Sequence, residues 1–496
     1  MQLSVGAIAD ILQTRPLYSK ALSEEERDAL ARVMVRGASI DSRTVSEGDL
    51  FVCLKGEKVD GHAYAARACE AGAAAILASR DIEGLHEAFP TVPLFVVENP
   101  EKALGKIAHA VRMRFAGKVI GVTGTAGKTT LKEWLYSLIS QEYRCARTEG
   151  NHNNQLGLPL TICNTCGDED YWVIEAGISH AGDMEELAGI LRPDIGVVLN
   201  AGTGHTEGLG AMGVAWHKTR MFTVLADKGY AVTSSDYPDL EKWASEACEA
   251  KGSTLYFFSV ARDRRDFVAK NSQPGIGCVT LVDRQNPRLC HVCARRGDRV
   301  EETIVTMPMA GRAAAENLAC VTLVASLLRL DLCFLQKAIE EASVPDHRYS
   351  REVIGKSIVI DDCYNANPLS MGRMVEAAAT ESRQGSFIPV LGAMGELGEE
   401  AANAHKILGA QLKSLAPAFV LWKGAYAQDV REGLGPDIPL LSFETDEECA
   451  QCFSKGLSSL SMDPANEGVT VLVKGSRSNR LETAAQTIKS LLTATD

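Results

Sequence analysis

The sequence lacks any long uninterrupted apolar run. A helix that spans a bilayer needs about 20 consecutive apolar residues, and no stretch of the 496 residues approaches that length. The first residues, Met1 to Gly6, also lack the charged segment followed by an apolar segment that marks a secretory signal. We therefore expect no membrane insertion and a cytoplasmic location.

Positive charge is also in short supply. The chain has 51 lysine and arginine residues against 64 aspartate and glutamate residues, which gives a formal net charge of -13. Because nucleic acids are held largely by basic side chains that neutralise phosphates, this balance argues against a general nucleic-acid binder. We expect no nucleic-acid partner, although a local basic pocket for an anionic substrate remains open.

The sequence has no compact set of cysteines that resembles a zinc site. Its 14 cysteines are scattered. Two C-x2-C pairs, Cys163 with Cys166 and Cys290 with Cys293, lie far apart in the chain and within or beside apolar segments. A structural zinc site needs matched ligand pairs on one scaffold. The pattern therefore predicts reduced thiols that pack as small apolar side chains.

Strand-like apolar runs alternate with segments of helical period along the whole chain. This alternation predicts an α/β fold with mainly parallel sheets. At about 150 residues per domain, the length predicts roughly three domains, which we place at residues 1–98, 99–343 and 344–496. The predicted strands, together with one helix over Ala103–Arg114, are Leu50–Leu54, Ala75–Ala78, Val119–Val122, Ser357–Ile360, Phe387–Leu391, Ala418–Trp422 and Val469–Val473.

A glycine-rich loop between a strand and a helix is the strongest single motif. Residues 121–130 read Gly-Val-Thr-Gly-Thr-Ala-Gly-Lys-Thr-Thr, and apolar residues recur with helical spacing from Leu131 to Ile139. Such a turn directs backbone amides at phosphate oxygens, with Lys128 reaching the β- and γ-phosphates and Thr129 ligating Mg²⁺. The usual phosphate loop has glycine where this chain has Val122. A general P-loop ATPase remains open on this motif alone.

Beyond this loop the sequence resembles the Mur ligase family over nearly its whole length. The segments that carry the resemblance are Gly124–Thr129, Gly150–Leu160, Trp172–Gly177, His205–Gly208, Lys218, Asn317, Arg348 and Lys474–Arg477. The resemblance implies a central P-loop sheet that binds ATP, an N-terminal domain for a UDP-linked substrate and a C-terminal Rossmann-like domain. It also implies ATP- and Mg²⁺-dependent formation of an amide bond.

Several segments resemble one branch of that family. Asp361–Pro368, Gly395–Gly398 and Val473–Ser478 are similar to the branch that adds D-alanyl-D-alanine to UDP-N-acetylmuramoyl-tripeptide. The stretch from Asp41 to Arg43 resembles the UDP-sugar-binding domain that this branch shares with the diamino-acid-adding ligases, whose Asp-Asn-Pro-Arg motif we do not find. The resemblance thus implies that tripeptide and that dipeptide as partners. We expect a monomer.

The resemblance also implies roles for individual side chains. The expected catalytic residues are Lys128, Lys218, His205 and Arg348. The expected metal ligands are Thr129, Glu175, His205 and Lys218, the last as a carbamate. The expected ATP-binding residues are Gly124, Thr125, Ala126, Gly127, Lys128, Thr129, Thr130, Asn317, Asn365 and either Asp361 or Asp362. The expected substrate-binding residues are Ser42, Arg43, Asn154, Asn367 and Lys474.

Some positions depart from the family pattern and keep alternatives open. Ala313 stands where the family often has histidine near the adenine, and Ala393 stands at a usually acidic position. Lys218 is aligned only because it is the sole lysine between Glu207 and Asp227. Ordinary turn chemistry competes for Arg348, Asn365 and Asn367. The rival functions are another ligase of the same family and a P-loop ATPase switch that forms no bond.

Overall fold

The N-terminal part of the chain forms a small parallel sheet. The computed structural model describes residues 1–202, 209, 212–296, 299–343, 345–382 and 386–494. The strands of this part are β1 Leu3–Ser4, β2 Met34–Val35, β3 Gly37–Ser39, β4 Asp49–Val52, β5 Ala75–Ala78 and β6 Leu94–Val96. Its helices are α1 Val5–Leu12, α2 Glu24–Ala31, α3 Ala65–Glu70 and α4 Leu85–Ala88, with a 3₁₀ turn at Gly61–Tyr64. Strands β3 to β6 pair in parallel in chain order, and β1 pairs with β2 antiparallel.

The central part is built on a larger, mostly parallel sheet. Its strands are β7 Lys118–Thr123, β8 Cys145–Arg147, β9 Tyr171–Glu175, β10 Ile195–Val198, β11 Tyr230–Ser234, β12 Thr254–Ala261, β13 Ile276–Val282, β14 Leu289–Arg296 and β15 Arg299–Thr306. Its helices are α5 Pro100–Arg114, α6 Lys128–Ile139, α7 Gly157–Cys163, α8 Asp183–Leu191, α9 Gly213–Thr219, α10 Pro238–Lys251, α11 Arg264–Asn271, α12 Arg312–Leu328 and α13 Leu335–Glu341, with 3₁₀ turns at Arg220–Val224 and Leu332–Phe334. The strand order is β15-β14-β13-β12-β11-β10-β7-β9-β8.

One edge of the central sheet is antiparallel, and the rest of the sheet is parallel, in agreement with the mainly parallel sheets that the sequence predicts. Strand β14 pairs antiparallel with both β13 and β15. The other neighbouring pairs of this sheet, in the order β13-β12-β11-β10-β7-β9-β8, are parallel among the described residues. An antiparallel pair needs only a short connection, and a parallel pair needs a crossover. The short connections after β13 and β14 therefore explain why these strands run antiparallel.

The C-terminal part forms a third sheet with helices on both faces. Its strands are β16 Ser350–Ile354, β17 Ser357–Asp361, β18 Phe387–Gly392, β19 Val420–Lys423, β20 Leu440–Phe443 and β21 Thr470–Lys474, in the order β16-β17-β21-β18-β19-β20. Its helices are α14 Pro368–Glu381, α15 Ala401–Leu415, α16 Ala427–Leu434, α17 Asp446–Ser459, α18 Pro464–Glu467 and α19 Glu482–Ala494, with 3₁₀ turns at Gly398–Glu400 and Arg477–Asn479. Only the β16–β17 hairpin is antiparallel among these described strands.

Apolar packing supports the central sheet on both faces. One core runs from the N-terminal part, at Leu50, through Leu104 to Trp172. The opposite face is covered by a second core that includes Trp134 and Leu318. Strands buried on both faces are typical of parallel α/β sheets, and this packing holds the carboxyl ends of β7, β9 and β10 in place.

The α/β organisation predicted from the sequence is confirmed. The predicted strand Ala75–Ala78 has the observed bounds, and the predicted strand Ala418–Trp422 is observed at Val420–Lys423. The domain boundaries remain a prediction. Within the ranges that the structure describes, no helix combines the length and apolarity needed to cross a bilayer.

Candidate active site

A cleft of about 370 Å³ lies where the central and C-terminal sheets face each other. It is placed at the carboxyl ends of parallel strands, where open α/β sheets bind ligands. The cleft gathers residues that are far apart in sequence. The residues expected from the sequence that line it are Thr125, Ala126, Gly127, Lys128, Thr130, Asn154, Glu175, Lys218, Asn317, Arg348, Asp362, Asn365, Asn367 and Lys474.

The predicted strand–loop–helix arrangement around the phosphate loop is confirmed. Strand β7 leads into the loop, and α6 begins at Lys128 immediately after it. Gly127 has a φ of 80°, and a Cβ there would lie 2.9 Å from Asn317 Oδ1, so glycine is needed at this turn. Lys128 Nζ donates to the Gly124 carbonyl at 3.0 Å. The loop thus presents an ammonium and a helix N-terminus, which together favour an anion such as phosphate.

Asn200, two residues after the end of β10, clamps the phosphate loop, and no sequence motif indicates this role. Its Oδ1 accepts from the amides of Thr125 at 3.0 Å and Ala126 at 2.9 Å. Its Nδ2 donates to the Ala126 carbonyl at 3.0 Å. Its position in the sequence is the feature that points to this role, since a polar residue shortly after a buried strand lies at the edge of the sheet where ligands bind.

Glu175 is a buried carboxylate at the end of β9. It is 1% exposed, as the apolar run before it predicts. Thr129 Oγ1 donates to its Oε2 at 3.1 Å, and Asn153 Nδ2 donates to its Oε1 at 2.7 Å. Its backbone amide donates to Thr148 Oγ1 at 2.9 Å. Carboxylate and hydroxyl oxygens are the donors that Mg²⁺ prefers, so Thr129 and Glu175 fit this ion.

Lys218 lies in α9 and reaches the same cleft. It is 2% exposed. Burial, followed by the charge of Lys128, lowers the pKa of Lys218 well below its ordinary value, against the opposing effect of Glu175. Burial also lowers the pKa of Lys128, and the nearby charge of Arg348 acts in the same direction. An ammonium cannot ligate a cation, so Lys218 fits a metal site only after conversion to a carbamate.

His205, expected as a catalytic residue and metal ligand, lies outside the described residues.

The C-terminal part contributes cations to the opposite wall of the cleft. Arg348 lies over the ring of Tyr364, 4.3 Å from its centroid. Lys474 is 2% exposed and pairs with Asp362 at 2.5 Å. Its Nζ also donates to the Asn365 carbonyl at 3.0 Å. These contacts fix the ammonium of Lys474 at the carboxyl end of β21.

The two neighbouring aspartates, which the sequence left equivalent, have different surroundings. Asp362 lines the cleft. Asp361 is buried and its Oδ2 contacts His347 Nδ1 at 2.8 Å. Asp362 is therefore the carboxylate of the pair that the cleft exposes.

Three asparagines in the cleft also support its walls. Asn367 caps α14 through the amide of Ser370 and donates to the Thr125 carbonyl at 3.2 Å, so the C-terminal part touches the phosphate loop directly. Asn154 Oδ1 accepts from the Gly157 amide at 2.9 Å. Asn317 Nδ2 donates to the Gly127 carbonyl at 3.5 Å. The turn and capping chemistry expected of asparagine is therefore present alongside their position in the cleft.

Ser42 and Arg43 belong to a second, separate cleft in the N-terminal part. This cleft has a volume of about 960 Å³, and Lys55 and Arg67 also line it. Arg43 pairs with Asp41 at 2.6 Å. Side-chain and backbone hydrogen bonds from Arg43 lower the pKa of Asp41 to about 2. Three cations, Arg43, Lys55 and Arg67, and three carboxylates, Asp41, Glu98 and Glu101, therefore line this cleft.

Comparison with protein families accounts for most of the chain. The "Mur ligase family, catalytic domain" matches residues 34–112, the "Mur ligase middle domain" matches residues 122–325, and the "Mur ligase, glutamate ligase domain" matches residues 348–477. The chain belongs to the Mur ligase family, which confirms the resemblance found in its motifs.

Individual relatives agree with this assignment. The chain is 30% identical over 416 residues to the UDP-N-acetylmuramoyl-tripeptide--D-alanyl-D-alanine ligase of Synechocystis, covering 84% of this chain and 83% of that protein. It is 29% identical over 472 residues to the enzyme of the same name from Escherichia coli, covering 92% and 95%.

Solved structures share the fold along the whole chain. MurF from Acinetobacter baumannii superposes with a TM-score of 0.82 over 99% of each chain, at 24% identity, which shows the common fold. MurF ligase from Thermotoga maritima, solved in complex with ADP, has a TM-score of 0.76 and 26% identity, covering 93% of this chain and 99% of that one. These likenesses confirm the predicted fold of a central P-loop sheet between two flanking domains.

Proposed function

We propose that this protein joins D-alanyl-D-alanine to the terminal carboxylate of UDP-N-acetylmuramoyl-tripeptide, with cleavage of ATP to ADP and phosphate. The reaction belongs to the synthesis of peptidoglycan precursors. The observation that carries the proposal is the single cleft in which the phosphate loop, Glu175 and Lys218 face Arg348 and Lys474. The relatives that bear the name of this activity align over most of the chain.

The reaction has two steps that this cleft suits. The γ-phosphoryl group of ATP passes to an oxygen of the tripeptide carboxylate, which gives an acyl phosphate and ADP. The amine of D-alanyl-D-alanine then attacks the acyl carbon, phosphate leaves with the C–O bonding electrons, and the amine loses a proton. Both steps depend mostly on positioning and on stabilising negative charge.

The chain's own residues supply those functions. The phosphate-loop amides and Lys128 bind the triphosphate. Thr129, Glu175 and a carbamylated Lys218 would hold Mg²⁺, with His205 assigned to a second ion by resemblance alone. When bound there, the metal would neutralise phosphate charge. Arg348 and Lys474, on the opposite wall, are placed to meet phosphate or the substrate carboxylate.

The remaining parts of the substrates are assigned as follows. Asn317 and Asp362 serve the adenosine end of ATP, and the cleft around Ser42 and Arg43 holds the UDP end of the tripeptide substrate. In domain terms, residues 1–98 bind UDP, 99–343 bind ATP and 344–496 close over both. Closure excludes water, which would otherwise hydrolyse the acyl phosphate. We further propose that the protein works as a monomer, because both clefts are formed within one chain. Because the proposed reaction consumes ATP, we place it in the cytoplasm.

An acceptor screen tests the proposal. The protein is incubated with ATP, Mg²⁺ and UDP-N-acetylmuramoyl-tripeptide, together with D-alanyl-D-alanine or with single amino acids, and products are weighed by mass spectrometry. We expect ADP release and a new amide only when tripeptide, metal and dipeptide are all present.

Two other outcomes would replace the proposal. If a diamino acid is added to a UDP-muramoyl dipeptide more efficiently, the protein is a different ligase of the same family. If a protein partner stimulates ATP turnover and no amide forms, the protein is an ATPase switch.

A further inference from the structure

Glu316, in the second turn of α12, is a fully buried carboxylate with no part in the proposed chemistry. Its Oε2 accepts from Asn200 Nδ2 at 2.8 Å and from Arg373 Nη1 at 2.7 Å. Its Oε1 accepts from Tyr237 at 2.8 Å and from Arg373 Nη2 at 3.0 Å. A buried charge is costly unless it is paired and hydrogen-bonded, and here both oxygens have two donors.

The donors around Glu316 belong to different parts of the molecule. Asn200 holds the phosphate loop through Thr125 and Ala126. Arg373 lies on α14, in the C-terminal part, and its side chain is 11% exposed. Burial and the charge of Glu316 raise the pKa of Tyr237, so its hydroxyl remains a donor. Glu316 therefore connects the phosphate loop to the C-terminal part through one intermediate side chain.

A second contact between α14 and the loop runs beside this one. The cap of the helix, Asn367, donates directly to the Thr125 carbonyl at 3.2 Å. Because α14 is a continuous helix, Asn367 and Arg373 move together. Helix α14 is thus attached to the loop at its start and, less than two turns later, through Glu316 and Asn200.

We propose that Glu316 is a positioning residue that couples the conformation of the phosphate loop to the docking of the C-terminal domain. The inference rests on the proposed function and names the internal regulation of that site. Asn200 and Arg373 both donate to the same oxygen, Glu316 Oε2. If Asn200 moves with the loop, Glu316 loses one donor or moves with it, and the hydrogen bond from Arg373 to this oxygen changes. If the C-terminal domain moves away, Arg373 leaves and Glu316 stays buried without its cation. The cost of that unpaired charge opposes undocking of the domain.

Linkage gives this coupling a measurable consequence. If a nucleotide on the loop favours docking of α14, docking must favour nucleotide binding by the same factor. Loss of the Glu316–Arg373 pair should then remove nucleotide-dependent docking and weaken nucleotide binding together. A purely structural pair would change stability without this joint effect.

The test uses three variants: Arg373→Met, Glu316→Gln and the double variant that combines these two substitutions. Arg351→Met is the control. The control is matched because Arg351 also pairs with a partly enclosed carboxylate, Glu381 at the end of α14, at 2.8 Å, without contacting Glu316. ADP affinity with Mg²⁺ is measured by calorimetry. Hydrogen exchange at residues 368–381 reports docking, with residues 446–459 as an internal reference.

In the unsubstituted protein, ADP should protect residues 368–381 from exchange. Arg373→Met and Glu316→Gln should both lose this protection and bind ADP about tenfold more weakly, a factor typical of coupled sites. Arg373 lines the cleft and Glu316 does not, so the loss in Glu316→Gln is the one that a direct contact with ADP cannot explain. The double variant should be no worse than the weaker single variant, because one interaction is lost in each case. Arg351→Met should keep both the protection and the affinity.

The proposal is overturned if Arg373→Met retains nucleotide-dependent protection and the original ADP affinity. If Arg373→Met fails to fold, Arg373→Lys is tested in its place, because lysine keeps the charge but cannot form the bidentate pair with Glu316. Intermediate coupling in this variant supports the proposal, and full coupling contradicts it. Neither readout involves ligation. Coupling without activity in the acceptor screen would therefore reject the proposed function alone.

Discussion

The clamp formed by Asn200 makes a prediction whose size follows from its contacts. Asn200→Ala removes three hydrogen bonds to the loop and one to the Glu316 carboxylate. The Thr125 amide keeps a partner, because it also donates to the backbone carbonyl of residue 200 at 3.1 Å. Each neutral hydrogen bond contributes about 1 kcal/mol, and the bond to the carboxylate contributes somewhat more. Because the Thr125 amide keeps one partner, the lost stabilisation of the loop is roughly 3 kcal/mol.

That loss should appear mainly as weaker nucleotide binding. A loop without its clamp must be ordered when the nucleotide binds, and about 1.4 kcal/mol corresponds to a tenfold change in affinity. We therefore expect ADP to bind about 100-fold more weakly to Asn200→Ala in calorimetric titration. The circular dichroism of the free variant should stay unchanged, because β10 itself is intact.

Asn200→Asp separates the geometry of the clamp from its charge. The new carboxylate still accepts from the Thr125 and Ala126 amides, but it lies against the Glu316 carboxylate in a buried site. Like charges raise carboxyl pKa values. Once protonated, the introduced carboxyl group would donate as the amide does, so the ADP affinity of this variant should improve as pH falls. Unchanged ADP affinity in a folded Asn200→Ala protein would refute the assigned role of the clamp.

Other predictions follow from the lysines and the carboxylate of the cleft. Lys128→Ala should abolish ligation, by on the order of 10²-fold or more, in a protein with an unchanged circular dichroism spectrum; near-normal turnover would reject the loop assignment. Lys218→Ala and Lys218→Arg should both be nearly inactive, because neither can form the carbamate, and formate should partly restore the alanine variant; an active arginine variant would exclude the carbamate. Since CO2 reacts only with the neutral amine, and the pKa of Lys218 is lowered, added bicarbonate should activate the unsubstituted enzyme already at neutral pH; activation confined to pH values near the ordinary lysine pKa of about 10.4 would contradict the lowered pKa. Glu175→Gln keeps the size of the side chain and a possible bond to Thr129 but removes the charge, so it should raise the Mg²⁺ concentration needed for half-maximal activity; an unchanged requirement would place the metal elsewhere.

Local patterns in the sequence determined the phosphate loop, the alternation of strands and helices, and the burial of Glu175. Each depends on neighbours within a few residues: the glycines and Lys128 form one turn, and the apolar run before Glu175 forms one strand. The segments that resemble the family also indicated which distant motifs share one function. They did not distinguish Asp361 from Asp362, because adjacent residues at a strand end have the same local pattern.

Only the tertiary structure decided which distant groups meet. Asp361 and Asp362 differ in their distant partners: Asp361 is buried against His347, 14 residues away, and Asp362 pairs in the cleft with Lys474, 112 residues away. Glu316 reads as an ordinary polar residue of a helix, and its burial depends on Asn200 and Arg373, which crossover connections bring to it from 116 and 57 residues away. Pairing across such distances is set by how the sheets pack and by the direction of each strand, and no periodicity within a short window records either.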